Sequence, residues 1–175
     1  MTNLTQESAT PNLDAKIRVA SIAVITIASS VVVFAMIATV VAARQASSAL
    51  APTLMLPLVI AGFFALVSSV MFRRLNFQPA KLLAVFGRGG EPALAGHLFR
   101  VTLVSSALAE AVGIVGLILG IVSADTYYAY VLCGIALLAV LSNFPRARQW
   151  RELGTEITQQ ARSGVTGGSF GKGLE

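Results

Sequence analysis

The sequence predicts an all-α protein, a four-helix transmembrane bundle with both termini on the cytoplasmic side (N-in/C-in). Three observations carry this expectation. Hydrophobic residues make up 55% of the 175 positions and charged residues only 12%, whereas a soluble domain of this size needs charged surface to stay dissolved. Four apolar runs, about residues 17–43, 53–72, 98–123 and 126–144, each approach the roughly 20 residues that a helix needs to cross the hydrocarbon core. With four crossings, all but one of the 13 Lys and Arg residues fall on one side, the exception being Arg44. The positive-inside rule puts that basic side in the cytoplasm and the chain in the cell (inner) membrane.

Residues 1–15 are polar and contain Pro11, which reads as a disordered tail before one transmembrane domain at 16–145. Lys16 and Arg18 precede the first run, and Val41-Ala42-Ala43 offers small residues for signal cleavage. The run is about twice the 7–15 apolar residues of a signal peptide, which favours a retained helix. The segment from Arg44 to Ala51 is a short polar connection. Pro52 suits the first turn of the second helix, and Pro57 falls early enough to be tolerated. That run stops at Arg73-Arg74.

Residues 73–96 form the longest stretch between runs. Pro79 followed by AKLLAVF reads either as a short amphipathic helix at headgroup level or as an ordered surface loop. Gly87, Gly89, Gly90 and Pro92 break it. After the third run, Asp125-Thr126 make a tight turn. Tyr127, Tyr128 and Tyr130 fit an interfacial aromatic belt. Pro145 marks the end of the fourth run or a kink in it. Residues 146–175 then read as a short interfacial helix anchored by Trp150, followed by a Gly-rich flexible tail.

The third run would be unremarked but for Glu110, halfway along it. A carboxylate near the bilayer centre costs about 2.5–3.5 kcal/mol on insertion scales. Burial therefore favours the neutral acid unless a cation compensates. None does, because no Lys, Arg or His lies inside a run, and His97 and Arg100 are about 15 Å or more away by helical rise. On a helix Ser106, Ala107, Gly113 and Ile114 share the face of Glu110, and three of those four are small. Gly113, Gly116 and Gly120 add spacings that let another backbone come close. The helix-packing positions expected are thus Ala107, Gly113, Gly116 and Gly120. A carboxyl group with the hydroxyls of Ser106 and Ser105 would make a site for H+ or Na+. The other reading is a protonated Glu110 that hydrogen-bonds a neighbouring helix and holds the bundle together.

The residues Ala107, Glu110, Ala111, Ile114, Gly116 and Leu117 resemble the carboxylate-bearing helix of the ATP synthase proteolipid c subunit. That helix carries Ala-x-x-Glu-(Ala/Ser)-x-x-(Ile/Leu)-x-Gly-Leu around its ion-carrying carboxylate. In that family a cytoplasmic loop precedes the helix, as the basic 73–96 segment does here. The resemblance implies reversible protonation or cation binding at Glu110. The layout as a whole also resembles small four-helix bacterial membrane proteins, in which Phe-Pro followed by basic residues ends the last helix, as in Phe144-Pro145-Arg146.

The remaining chemistry is sparse. One His and one Cys, Cys133, cannot build a catalytic triad, a metal site or an intrachain disulfide. Gly87-Arg88-Gly89-Gly90 lacks a preceding strand and a Walker lysine pattern. No enzyme activity, cofactor or metal is expected, and the placement of the basic residues at helix ends argues against nucleic acid. Those residues read as topology determinants and contacts to anionic lipid. The partners implied are the bilayer, H+ or Na+, and a second copy or another membrane subunit.

Overall fold

The computed structural model describes the backbone of residues 10–44 and 51–167 and the side chains of 14–44, 53–160 and 163. The described residues form five helices and no strand: α1 Thr10–Ala42, α2 Ala51–Asn76, α3 Pro79–Ser123, α4 Thr126–Ser142 and α5 Ala147–Gly167. Within α1, α2 and α3 the stretches Asp14–Ala42, Thr53–Asn76 and Pro79–Ser123 are long and apolar enough to cross a membrane. The 17-residue α4 qualifies only together with α5, to which it is joined at a 45° bend.

Helices α1, α2 and α3 begin before their apolar runs, whereas α4 ends at Ser142, two residues short of its run. Helix α1 begins at Thr10 rather than after residue 15, because Pro11 fits a first turn that lacks amide partners anyway. Helix α5 likewise continues to Gly167, into the stretch expected to be a flexible tail. The tail ends 1–9 and 168–175 and the 45–50 connection lie outside the described residues. Helix α3 contains the expected break: Gly89 (φ −157°, ψ 18°) and Gly90 (φ 63°, ψ −155°) leave helical geometry. Only Gly adopts the Gly90 conformation without strain. The part before it, 79–88, is helical, which settles the amphipathic-helix reading over the loop. The spanning part then resumes at 91, a full turn or more before residue 98, with Pro92 in its first turn.

Helix α3 is the centre of the molecule and packs against α1, α2 and α4, while α4 also packs on α1. Contacts along the helices fix their directions. Lys16 lies against Gly96, Val31 against Gly113 and Ala38 against Gly120, so α1 and α3 run parallel. Gly62 meets Val115 and Ser69 bonds Ser105, so α2 is antiparallel to α3. Gly113 meets Ala136 and Gly120 meets Ala129, so α4 is antiparallel to α3 as well. The start of α1, the end of α2, the start of the spanning part of α3 and the end of α4 therefore share one end. The basic residues gather there, and Arg44 stands at the other.

At the basic end a second layer forms. Leu82 from 79–88, Leu94 and Leu98 from α3, Ile17 and Ala20 from α1, and Trp150 and Ile157 from α5 make one buried cluster. Trp150 is 4% exposed, so it is not the headgroup anchor expected of it. The apolar stripe of α5 meets the stripe of 79–88 and the first turns of α1 instead of lipid. An exposed Arg151–Asp14 pair, 2.9 Å, ties α5 to α1 and adds little. At the opposite end Tyr127 and Tyr130 are exposed and Tyr128 is half-buried, and Asp125 caps α4 by accepting from the Tyr127 amide, 2.9 Å.

Candidate functional site

Glu110 sits midway along the spanning part of α3, half-buried at the edge of the α1–α3 seam. On its inner side Ser106 and Gly113 are buried; on its outer side Ala107 and Ile114 are exposed. The carboxyl group thus lies between packed protein and the outer surface of the bundle.

Its partner comes from α1. The Ser30 hydroxyl is hydrogen-bonded to Glu110 Oε1. The same hydroxyl lies 2.7 Å from the Ile27 carbonyl of its own helix. A hydroxyl carries one hydrogen and two acceptor lone pairs, so Ser30 can donate to only one of these oxygens at a time. When Ser30 donates to Ile27, it can accept a hydrogen from a neutral Glu110. When Glu110 is ionised, Ser30 can turn its hydrogen to the carboxylate. No lysine or arginine pairs with Glu110 among the described residues.

The hydroxyls expected beside Glu110 divide. Ser106 is fully buried, one turn before Glu110, and its Oγ has no hydrogen-bond partner among the described residues. Ser105 is also fully buried but serves α2 instead. Its hydroxyl donates to the Thr102 carbonyl at 3.1 Å, and its carbonyl accepts from Ser69 of α2 at 2.7 Å. The structure therefore does not bring Ser105 to Glu110. One residue along a helix is a 100° turn, and that separates the two serines.

The packing positions divide too. A Cβ on Gly116 would lie 2.9 Å from Leu132 Cβ and 3.3 Å from the Cys133 amide nitrogen. One on Gly120 would lie 2.8 Å from Ala129 Cβ and 3.1 Å from Ala38 Cβ. Gly113 meets both methyls of Val31 at 3.3 Å. These three glycines let α1 and α4 close on α3, which fixes the depth at which Ser30 faces Glu110. Ala107 is exposed, whereas the buried face of α3 passes through Ser106 and Ala109.

Ser30 is the partner of Glu110 that sequence reasoning did not find. The signal was available, since Ser29-Ser30 is a polar pair midway through the first run, at the depth of Glu110. His97 caps α2: its ring Nε2 lies 3.2 Å from the Asn76 carbonyl, consistent with a boundary role. Among the described residues no group of three or more His, Cys, Asp or Glu side chains is placed to hold a metal.

The chain matches no protein-family model, no curated protein and no solved structure. The class defined by fold is an all-helical protein with three to four helices able to cross a membrane.

Proposed function

We propose that the chain is a four-span integral membrane protein, N-in/C-in in the cell membrane, in which Glu110 reversibly binds a proton in mid-bilayer. It would act as a proton- or cation-linked subunit similar to the ATP synthase c subunit. The observation that carries this reading is the Ser30 partner. A guanidinium would lock Glu110 ionised and a lone carbonyl would favour it neutral, but a hydroxyl serves both states without any backbone movement. The half-exposed position supports it further, since a proton can reach or leave the acid at the bundle surface. A proton suits the donor set better than Na+, because a bare cation needs several oxygens. Ser105 contributes none here, and Thr26 and Ser29 already donate to the carbonyls of Ile22 and Ile25.

One observation favours a second reading. Ser30 and Glu110 join two helices, so the acid could act only as a bond between them, or between this chain and a partner subunit at its exposed edge. A structural bond survives amide replacement, because a Gln can still donate to Ser30. A titrating group does not.

Labelling with a hydrophobic carbodiimide, read by peptide mass spectrometry on the membrane-embedded chain, separates the two. Selective modification of Glu110 that falls as pH rises, and that shifts its pH dependence in Ser30→Ala, is expected. Modification that is absent at every pH, or that ignores pH altogether, would sink proton binding and leave the structural bond. The orientation has its own check. An Arg44→Cys variant should react with an impermeant maleimide in intact cells and an Arg88→Cys variant should not; the reverse pattern inverts the topology.

A further inference from the structure

The basic end holds a cleft unrelated to Glu110. Between the last turns of α2 and α4 lies an open cavity of about 360 Å³, whose walls include Val70, Arg73, Arg74, Phe77, Ala139 and Asn143. Helices α2 and α4 touch only marginally, so the cleft between their last turns is not closed by direct packing.

Arg73 is held in one orientation here. Its Nη1 donates to the Ser142 carbonyl and, at 2.9 Å, to Asn143 Oδ1, which caps the C-terminal end of α4. Its guanidinium carbon stands 5.6 Å from the centre of the Phe77 ring, a cation–π distance. The Nε and Nη2 groups have no partner among the described residues. That leaves one fork edge of a positioned guanidinium unused, the geometry that takes two oxygens of a phosphate or carboxylate at once.

No acidic side chain lines the cleft among the described residues. Arg146 is near enough to Arg73 for the two charges to repel. Arg74 is exposed, and none of the three arginines forms an ion pair among the described residues. Arg73 also lines an adjoining cleft beside α5 together with two acids, Glu152, which pairs with Arg148 at 2.7 Å, and Glu156. Neither pairs with Arg73.

We propose that this cleft binds an anionic phospholipid, with Arg73 and Arg74 on its phosphate, Arg146 adding positive charge from outside the lining, and an acyl chain against Val70 and Ala139. The apolar walls and the lack of closure between α2 and α4 favour a lipid over a soluble phosphate. The surplus of arginines favours a headgroup without a compensating cation, since a choline would meet the same positive field. The inference rests on the chain lying in a bilayer and is independent of Glu110.

The test is native mass spectrometry of the full chain in detergent, titrated with phosphatidylglycerol, phosphatidylcholine or inorganic phosphate. Arg73 is left in place because it also caps α4. The wild type should retain phosphatidylglycerol in preference to phosphatidylcholine, and each arginine removed should weaken that binding about fivefold. An Arg74→Gln/Arg146→Gln double variant should therefore lose most of the preference. Val70→Trp, at an exposed position that fills the cleft, should lose it while circular dichroism stays unchanged. Arg148→Gln, outside the cleft, and Glu110→Gln should keep it. Equal retention of both lipids, or a preference that survives the double variant, would overturn the proposal. So would displacement of phosphatidylglycerol by inorganic phosphate, which would make this a free-anion site.

Discussion

Between α1, α3 and α4 most buried residues are small: Ala38, Ala109, Gly113, Gly116, Gly120, Ala129 and Ala136, with Val24, Val31, Val112 and Val140 among them, and Leu119 is the large side chain buried on the same stretch of α3. At the basic end, where α5 and 79–88 meet the starts of α1 and α3, the buried residues are Ile17, Leu82, Leu94, Leu98, Trp150 and Ile157. The difference follows from what each region faces when it is not packed. In a bilayer an exposed leucine is already solvated by apolar chains, so burying it gains little. Helices there associate through close contact of backbones and small side chains. At the water boundary each apolar Å² removed contributes about 25 cal/mol, and bulky residues carry most of it. The packing of α1, α3 and α4 follows the first rule, and the layer at the basic end follows the second.

The comparison breaks most sharply at Trp150. Trp150→Ala removes the largest side chain of the bulky layer and should cost about 3–5 kcal/mol of that layer's stability. The loss should be local. Protease cleavage within α5 should become fast while the spanning helices stay intact by circular dichroism and gel filtration in detergent. If the variant instead unfolds the whole chain, the two cores are one cooperative unit and the division drawn here is wrong.

Gly116→Leu probes the other rule. A side chain there meets Leu132 and the Cys133 amide, so α4 must move away from α3 or rotate. Overpacking of this kind costs about 1–3 kcal/mol, and the melting temperature in detergent should fall accordingly. Gly134 lies on α4, where nothing stands within 4 Å of an added Cβ, so Gly134→Leu should leave stability unchanged. Equal effects at the two glycines would mean that close approach does not hold α4 in place.

These two regions also explain what could be read in advance. The glycine seam was legible because Gly113, Gly116 and Gly120 recur on one face of a long apolar run, and that pattern has few other uses. The break at Gly89-Gly90 was legible for the same reason. The bulky layer was not. An amphipathic helix shows that one stripe must leave water, but not whether lipid or protein receives it, and Trp150 serves either purpose equally well. Ser30 was missed because its pairing with Glu110 depends on the register between α1 and α3, helices separated by the whole of α2. Ser105 was misassigned because a neighbouring serine is spaced well for Glu110, and spacing alone does not say which of the two is turned toward α2.

The smallest expected effect is the most informative about Glu110. Ser106 Oγ is fully enclosed and has no partner among the described residues, and an unsatisfied buried hydroxyl costs about 1–3 kcal/mol. By packing logic alone Ser106→Ala should raise the stability of the folded chain by about 1 kcal/mol, against the trend for substitutions in a well-packed seam. If the hydroxyl is kept for the carboxyl group one turn above it, the same variant should change the pH dependence of carbodiimide labelling at Glu110. Both effects are expected together: a more stable protein whose acid titrates differently. Higher stability with unaltered labelling would separate Ser106 from the site and leave Ser30 as the hydroxyl that serves Glu110. Lower stability would show that Ser106 already has a partner in the membrane.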